Sequence, residues 1–375
     1  MRSLRVALLY NLKRNASHQA GEPADAAAEL DSEETAQALQ QALEAGGHQV
    51  VPLEGDVHLY ATLQRLRDDI DMAFNICEGQ RGESRESQVP AILEMLGIPY
   101  TASKILGQAL SLDKAMAKRI WMSYGLPTAA FQVLKRADEP VHPSLSYPLF
   151  AKPVAEGTGK GIDSDSIVQN EKQLRERVGR LIRAYQQPAL VETYLPGREF
   201  TVGLLGNPLG RGEKPLSQRY DRDGFHLFPV LEIDTSPVAD SEHGIYTNRI
   251  KSDMPLAINY LCPAPIEPAL EQELKRVAVA AFLAIQGLDV SRLDFRLDTE
   301  GRPHLLEINT LPGMNPTISD LCIMSRAEGM PYVELVNDIV QLAARRYGLE
   351  ESGTPSPQRW RDFASRASGE GDWKC

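Results

Sequence analysis

Short apolar runs alternate with longer amphipathic stretches through the first hundred residues. Val6–Tyr10 reads as a compact buried strand. Leu12 to Leu30 is a long polar, Ala-rich connection. Asp31-Ser32-Glu33-Glu34 predicts a helix start, with Asp31 as N-cap and Glu34 three residues on, and Gly46-Gly47 predicts its end. Gln49–Leu53 and Met72–Cys77 are strand-like, and Val89–Leu96 is a helix stopped by Gly97. Strands separated by helices imply an α/β lobe with a parallel sheet covered on its faces. Ligands in such sheets sit beyond the carboxyl ends of the strands, so the loop after Cys77 is a candidate site.

A second region begins near Leu106. It predicts a helix over Lys114–Tyr124 ended by Gly125, short strands at Phe131–Leu134 and Leu149–Lys152, and a glycine-rich loop. A charged helix over Glu171–Arg183 and a strand at Ala189–Glu192 follow. A third region runs from about Tyr194 to Arg346 and contains an amphipathic helix, Leu270–Ile285. From Ser352 the chain is rich in Ser, Gly, Pro and charge and has little to bury, which predicts a disordered or loosely attached tail. The boundaries expected are 1–106, 107–193, 194–350 and a tail over 351–375.

The 375 residues exceed one compact core, which fits two or three packed lobes. A net charge of −11 argues against nucleic acid or an anionic membrane as partner. Cys77, Cys262, Cys322 and Cys375 form no C-x-x-C pair, so neither a zinc site nor a redox dithiol is signalled. The N-terminal apolar run is too short for a signal peptide, and no stretch is long enough to span a membrane. A cytoplasmic location is expected. Cys77 reads as a buried strand-end residue rather than a nucleophile, and His226 and His243 read as loop residues.

The most informative chemistry lies in Ser291-Arg292-Leu293-Asp294-Phe295-Arg296-Leu297, where apolar and charged positions alternate as in a half-buried strand. A turn at Asp298-Thr299-Glu300-Gly301 leads to His304-Leu305-Leu306-Glu307-Ile308-Asn309. A two-residue Glu300-Gly301 loop, or a four-residue loop in the same register, sets Asp294 opposite Glu307 and Arg292 opposite Asn309 on one face. A three-residue loop would split them between faces. Paired carboxylates beside an amide oxygen suit Mg²⁺, and an arginine beside them suits a phosphoryl group. A surface hairpin with cross-strand ion pairs would show the same alternation. Thr310-Leu311-Pro312-Gly313-Met314-Asn315-Pro316 then leads to Ser319-Asp320, placing backbone N–H groups and Ser319 beside that face. A second loop, Glu156-Gly157-Thr158-Gly159-Lys160-Gly161, follows Lys152-Pro153, and its glycines let amides curl round phosphate oxygens. It is neither a Walker A loop nor G-x-G-x-x-G.

Taken in order, these pieces resemble the ATP-grasp superfamily, specifically the D-alanine–D-alanine ligase branch, over roughly residues 72 to 345. The resemblance rests on Gly82-Glu83, Gly97-Ile98-Pro99-Tyr100-Thr101, Leu112-Asp113-Lys114, Lys152-Pro153, Glu156-Gly157-Thr158, Gly197-Arg198-Glu199-Phe200-Thr201-Val202, Cys262-Pro263-Ala264, Arg292-Leu293-Asp294 and Glu307-Ile308-Asn309-Thr310-Leu311-Pro312-Gly313. It implies an α/β ATP-grasp fold, with an N-terminal parallel-sheet substrate domain, a central lobe with the glycine loop and a C-terminal lobe with the metal and catalytic residues.

The resemblance also assigns roles. Lys114 and Lys152 match lysines on ATP, and Glu156, Gly157, Thr158, Gly159 and Lys160 match the loop over the phosphates. Glu192 and Leu195 match the adenine hinge, and Glu199 the ribose carboxylate. Lys251 resembles the phosphate-contacting lysine upstream of the Cys-Pro-Ala stretch, and Arg292 matches the arginine that stabilises the transition state. Asp294, Glu307 and Asn309 match the Mg²⁺ ligands, one ion or two, with Mn²⁺ able to substitute. Glu78, Glu83, Gly313 and Ser319 fall in the substrate half, Ser319 with a one-residue offset, and Arg85 and Glu86 share the candidate substrate loop with Glu78 and Glu83, which a solvated charged loop would also explain. A substrate carboxylate would take the γ-phosphoryl of ATP and an amine would displace phosphate. The partners implied are small amino-acid or carboxylate substrates and a homodimer through the N-terminal lobe.

Three departures bear on the substrate. The loop after the first strand, Tyr10-Asn11-Leu12-Lys13-Arg14, lacks the family's glycines and its ammonium-anchoring glutamate, for which neither Glu29 nor Glu33 can be assigned. Cys77-Glu78-Gly79 replaces the family's His-Gly. Ser252 follows Lys251 where a Tyr is usual. The ATP half is intact and the amino-acid half altered. The competing readings are a peptide-forming or peptide-modifying ligase with a larger acceptor, and a nucleotide-binding regulatory protein without turnover. A dinucleotide-dependent oxidoreductase lacks its G-x-G-x-x-G.

Overall fold

The computed structural model describes residues 2–16, 22–238 and 257–350. Lys251 and the expected tail lie outside the described residues. In the N-terminal lobe β1 (Arg5–Tyr10) lies between β2 (Gln49–Glu54) and β3 (Met72–Asn75) in a parallel sheet. Val6 to Leu9 are all fully buried because both faces are covered, which is why β1 reads as a continuous apolar run. Val6, Leu8 and Phe74 pack with Leu39 and Leu43 of helix Glu33–Ala45. Ala7, Leu9 and Ala73 pack with Leu63 of helix Leu59–Leu66 and Leu93 of helix Gln88–Leu96.

The N-cap differs from the one the sequence predicts. Ser32 Oγ accepts from Thr35 N. The Asp31 backbone is engaged instead in closing the polar connection, bonding Lys13 N through its carbonyl and Asn11 O through its amide. The short helix Leu59–Leu66 was also not anticipated, being only two turns long.

The central lobe holds an antiparallel sheet of β4 (Phe131–Leu134), β5 (Leu149–Pro153), β6 (Ile167–Val168) and β7 (Ala189–Thr193), in the order β4-β7-β5-β6. Asn170 caps helix Glu171–Tyr185, whose Leu174, Val178 and Leu181 cover one face. The third lobe contains β8 (Glu199–Gly206), β9 (Phe225–Leu227), β10 (Leu231–Asp234), β11 (Asn259–Leu261), β12 (Asp289–Leu297) and β13 (Pro303–Asn309). Their order is β11-β10-β8-β12-β13, with β9 also on β8. Helix Pro268–Ala284 starts on a proline, which costs no hydrogen bond at N1. It lays Leu274, Val277, Ala281 and Phe282 on Phe200, Val202, Leu293 and Phe295.

The β12–β13 hairpin differs from expectation in its loop and agrees in its register. Leu297 pairs with Pro303, leaving the five residues 298–302 as the loop. An odd loop would by itself put Asp294 and Glu307 on opposite faces. The register shifts between Asp294 and Phe295, where Leu306 is the extra residue on β13. Beyond this bulge Asp294 pairs with Glu307, and Arg292 with Asn309. Asp298 holds the turn by accepting from the amides of Glu300 and Arg302, from Arg302 Nε and from His304 Nε2.

Helix Tyr332–Arg346 joins the outer lobes. Asn337 Nδ2 donates to Ala42 O at 2.9 Å, and Arg346 pairs with the fully buried Asp289 at 2.6 Å and bonds the carbonyls of Tyr100 and Ala102. One apolar cluster runs from Leu8 and Phe74 through Val336 to Leu321 and Met324. None of the described helices is long and apolar enough to cross a membrane.

Candidate active site

The face built by β12 and β13 carries the charge the sequence predicts. Arg292 Nη2 lies 2.9 Å from Asp294 and 3.9 Å from Glu307, and Nη1 lies 2.9 Å from Asp320. Burial opposes a charged guanidinium, but Asp294, Asp320 and Glu307 outweigh it and hold Arg292 firmly charged. Its Nε has no hydrogen-bond partner among the described residues. Asp294 also accepts from Thr201 Oγ1 at 2.9 Å, and Lys114 Nζ lies 3.3 Å from Glu307. Two carboxylates directly opposite one another, with the Asn309 amide next to them, form a donor set that fits a hard divalent cation completed by water and phosphate oxygens.

A cleft of about 660 Å³ separates this face from the central sheet. Lys152, Gly159, Glu192, Leu195, Glu199, Asp294 and Glu307 all line it, with Phe150, Tyr194 and Leu306 supplying apolar walls. The Glu192 side chain points into an ion-pair triad, with Lys152 on one oxygen and Lys118 on the other, each at 2.8 Å. Burial pushes the Glu192 carboxyl up, yet the two lysines prevail and hold it at about 2. Lys118 is fully buried and also donates to Thr128 Oγ1 and Leu305 O. Arg296 stands 3.6 Å from Glu199 and over the Tyr194 ring.

The glycine loop is tied to the polar connection of the N-terminal lobe. Thr158, Gly159 and Gly161 all have φ between +51° and +68°, which costs a side-chain-bearing residue such as Thr158 but not glycine. Glu29 accepts from Gly157 N at 2.5 Å, from Arg85 Nη2 at 2.7 Å and from Lys160 Nζ at 2.8 Å. Burial would raise the Glu29 carboxyl, but Arg85 and Lys160 keep it below the usual range. Glu156 takes Arg85, Lys160 and Gln187 on its carboxylate and Lys114 Nζ on its carbonyl. Asp25 accepts from Gly161 N at 2.9 Å and from the Tyr185 hydroxyl.

A larger cavity, about 2160 Å³ with its open mouth, lies on the other side of the glycine loop. Its walls bring together Gly157, Thr158, Lys114, Arg292 and Asn309 with Gly313, Ser319, Glu78 and Glu86. Ser319 Oγ accepts from Asn315 N and stands at the N-cap of helix Asp320–Ala327. A Cβ on Gly313 would come within 2.9 Å of that oxygen, so this wall has no room for a side chain there.

The sequence profile described as D-ala D-ala ligase C-terminus matches residues 120–341. The D-alanine–D-alanine ligase of Bordetella petrii is 34% identical over 307 residues, 80% of this chain and 86% of that one. The chain belongs to the D-alanine–D-alanine ligase family. It is therefore an ATP-grasp, ADP-forming carboxylate–amine ligase. A protein of Sinorhizobium fredii bearing the name Uncharacterized protein y4sG is 35% identical over 318 residues, 83% of this chain and 88% of that one. The D-alanine–D-alanine ligase of Bacillus anthracis complexed with ATP superposes with a TM-score of 0.68 at 20% identity, over 93% of this chain and all of the other, which shows the shared fold.

Within this family member the geometry gathers most residues singled out from sequence. Arg292, Asp294, Glu307, Asn309 and Lys114 share one face, and Lys152, Glu192, Leu195 and Glu199 share the adjoining cleft. Glu83 is exposed and lines a separate cleft with Arg85 and Lys160, outside the cavity that holds Glu78, Gly313 and Ser319. Sequence reading missed Lys118 and Asp25, and it placed Arg85 in the candidate substrate loop without its partners Glu29 and Glu156. Lys118 lies one helical turn after Lys114 in helix Lys114–Ser123, and that spacing was the available signal. Arg85 and Asp25 reach their partners only through tertiary contact and left no local pattern. Cys77 is fully buried, and burial followed by Asp31, Glu54 and Glu78 pushes its thiol well up, which fits a structural residue.

Proposed function

We propose that the enzyme binds ATP in the cleft between the central and C-terminal sheets and activates a substrate carboxylate as an acyl phosphate, which an amine then captures. The observation that carries this reading is the register placing Asp294 opposite Glu307 and Arg292 opposite Asn309 on a face shared with Lys114. Asp294, Glu307 and Asn309 would hold Mg²⁺ against the phosphates, and the ion would supply charge neutralisation there. Lys114 and Lys152 neutralise phosphate charge, and Arg292 stabilises charge on the transferring group. Lys251 is assigned a phosphate-contacting role by family resemblance alone.

The hinge Glu192–Leu195 holds the base and Glu199 the ribose. Gly157, Thr158 and Lys160 cover the phosphates, and the loop excludes water from an intermediate that hydrolyses readily. Gly313 and Ser319 receive a substrate carboxylate beside the start of helix Asp320–Ala327, where backbone amides favour negative charge. The scattered thiols, of which Cys77, Cys262 and Cys322 are free, fit a cytoplasmic enzyme.

The mouth of the cavity that holds Glu78, Gly313 and Ser319 opens to solvent, and this supports a second reading in which the acceptor is larger. The test is phosphate release from ATP and Mg²⁺ against D- and L-amino acids, singly and in pairs, and against short peptides. Release that depends on one acid and one amine is the expected result. ATP hydrolysis indifferent to every added acid and amine would overturn the ligase reading.

A further inference from the structure

The wall of the large cavity that carries Glu78 and Glu86 holds more negative charge than the described residues neutralise. Glu29 and Glu156 are matched by Arg85 and Lys160, two carboxylates against two cations. Lys114 is engaged with Glu307 and the Glu156 carbonyl. Glu78 and Glu86, which line the same cavity, have no hydrogen bond or ion pair among the described residues, and Asp31 beside them has no side-chain partner. Glu86 is only 8% exposed, and that exposure faces the cavity. Exposed Lys13 at the rim makes no ion pair with them.

An unpaired buried carboxylate is costly, so such a wall is stable only if it is protonated or meets a cation. Burial pushes all three up, with Glu86 and Glu29 driving Glu78 well up, Glu29 helping to bring Glu86 to about 8, and Glu54 helping to bring Asp31 to about 7. Arg85, Lys114 and Lys160 pull Glu86 the other way without restoring it. A single α-ammonium would neutralise one of the three carboxylates. A second cationic group would neutralise one more.

We propose that Glu78 and Glu86 form a cation-binding subsite, and that this ligase acts on a substrate bearing an ammonium or guanidinium besides its reacting groups, such as a basic amino acid. This rests on reading the cavity as the substrate half of the ligase site. The subsite should release protons when the cation enters, since carboxyls that are neutral in the empty site become carboxylates.

The experiment is titration calorimetry on the full chain with Mg²⁺ and a non-hydrolysable ATP analogue. The probes are both enantiomers of ornithine, of its uncharged isostere norleucine, and of arginine. One basic amino acid should bind about tenfold or more tighter than norleucine, with proton release seen as a buffer-dependent heat. Glu86→Gln, and independently Glu78→Gln, should bring that ratio within about threefold of unity. No preference for the basic probes in the wild-type chain, or a preference that both variants retain, overturns the proposal. Selective binding without acid- or amine-dependent phosphate release would sink the ligase reading alone. Turnover of uncharged amino acids with no cation preference would sink the subsite alone.

Discussion

At the scale of single residues, the site depends on which charges are shared and which stand alone. Arg292 serves two carboxylates on its own sheet and Asp320 on the next helix, a task for a planar fork that an ammonium cannot fulfil. Arg292→Lys should therefore lower kcat by about 10²-fold while ATP affinity changes little, as steady-state kinetics and nucleotide titration would report. Glu192 is the opposite case, one buried carboxylate answering two buried lysines. Glu192→Gln strands Lys118 and Lys152 and should cost about 3–5 kcal/mol in a denaturant titration. A variant as stable as the parent would show that the triad is idle. The Arg292 set was legible because period-two alternation exposes a strand's face directly. The Glu192 triad was not, because an ion pair between a helix and two strands far apart in sequence leaves no periodic trace.

At the scale of elements, two devices position the site. The first is the Leu306 bulge, which converts an odd loop into the register that pairs Asp294 with Glu307. The sequence reading reached the correct pairing through an even loop. The five-residue turn was not legible because its bond network converges on one side chain, Asp298. The second device is the polar connection before helix Glu33–Ala45. It reads from sequence only as a long polar, Ala-rich connection, yet its Glu29 and Asp25 hold the amides of Gly157 and Gly161. Glu29→Ala removes the acceptor for one amide and two cations at once. Hydrogen exchange across residues 156–161 should rise by about tenfold or more in the nucleotide-free protein. Exchange that stays at the parent rate would mean the loop holds itself.

At the scale of the whole molecule, the outer lobes share one apolar cluster through helix Tyr332–Arg346, whereas the central sheet keeps its own. The parallel sheet and its helices were legible from strand–helix alternation, but a helix near the C-terminus covering the first sheet was not, since nothing local names its partner. The acidic cavity gives this assembly a pH signature. Glu86 titrates near 8 in the folded chain and near 4.5 unfolded, so between those values the folded state binds the extra proton. Its contribution is full below the unfolded value and is lost as pH rises through about 8. Glu29 and Glu78 face it as carboxyl groups, and Arg85, Lys114 and Lys160 as cations. The substrate-free protein should lose melting temperature between pH 5 and 8, and Glu86→Gln should recover a few degrees at pH 8 but little at pH 5. Equal shifts at both values would remove Glu86 as the cause.

The central claim is that a substrate carboxylate, rather than water, takes the γ-phosphoryl group of ATP. Supplying the carboxyl substrate labelled with ¹⁸O and weighing the released phosphate tests it most directly. The account predicts one ¹⁸O in each phosphate, carried over when the amine displaces it from the acyl phosphate. Unlabelled phosphate from a reaction that still forms the amide would contradict it.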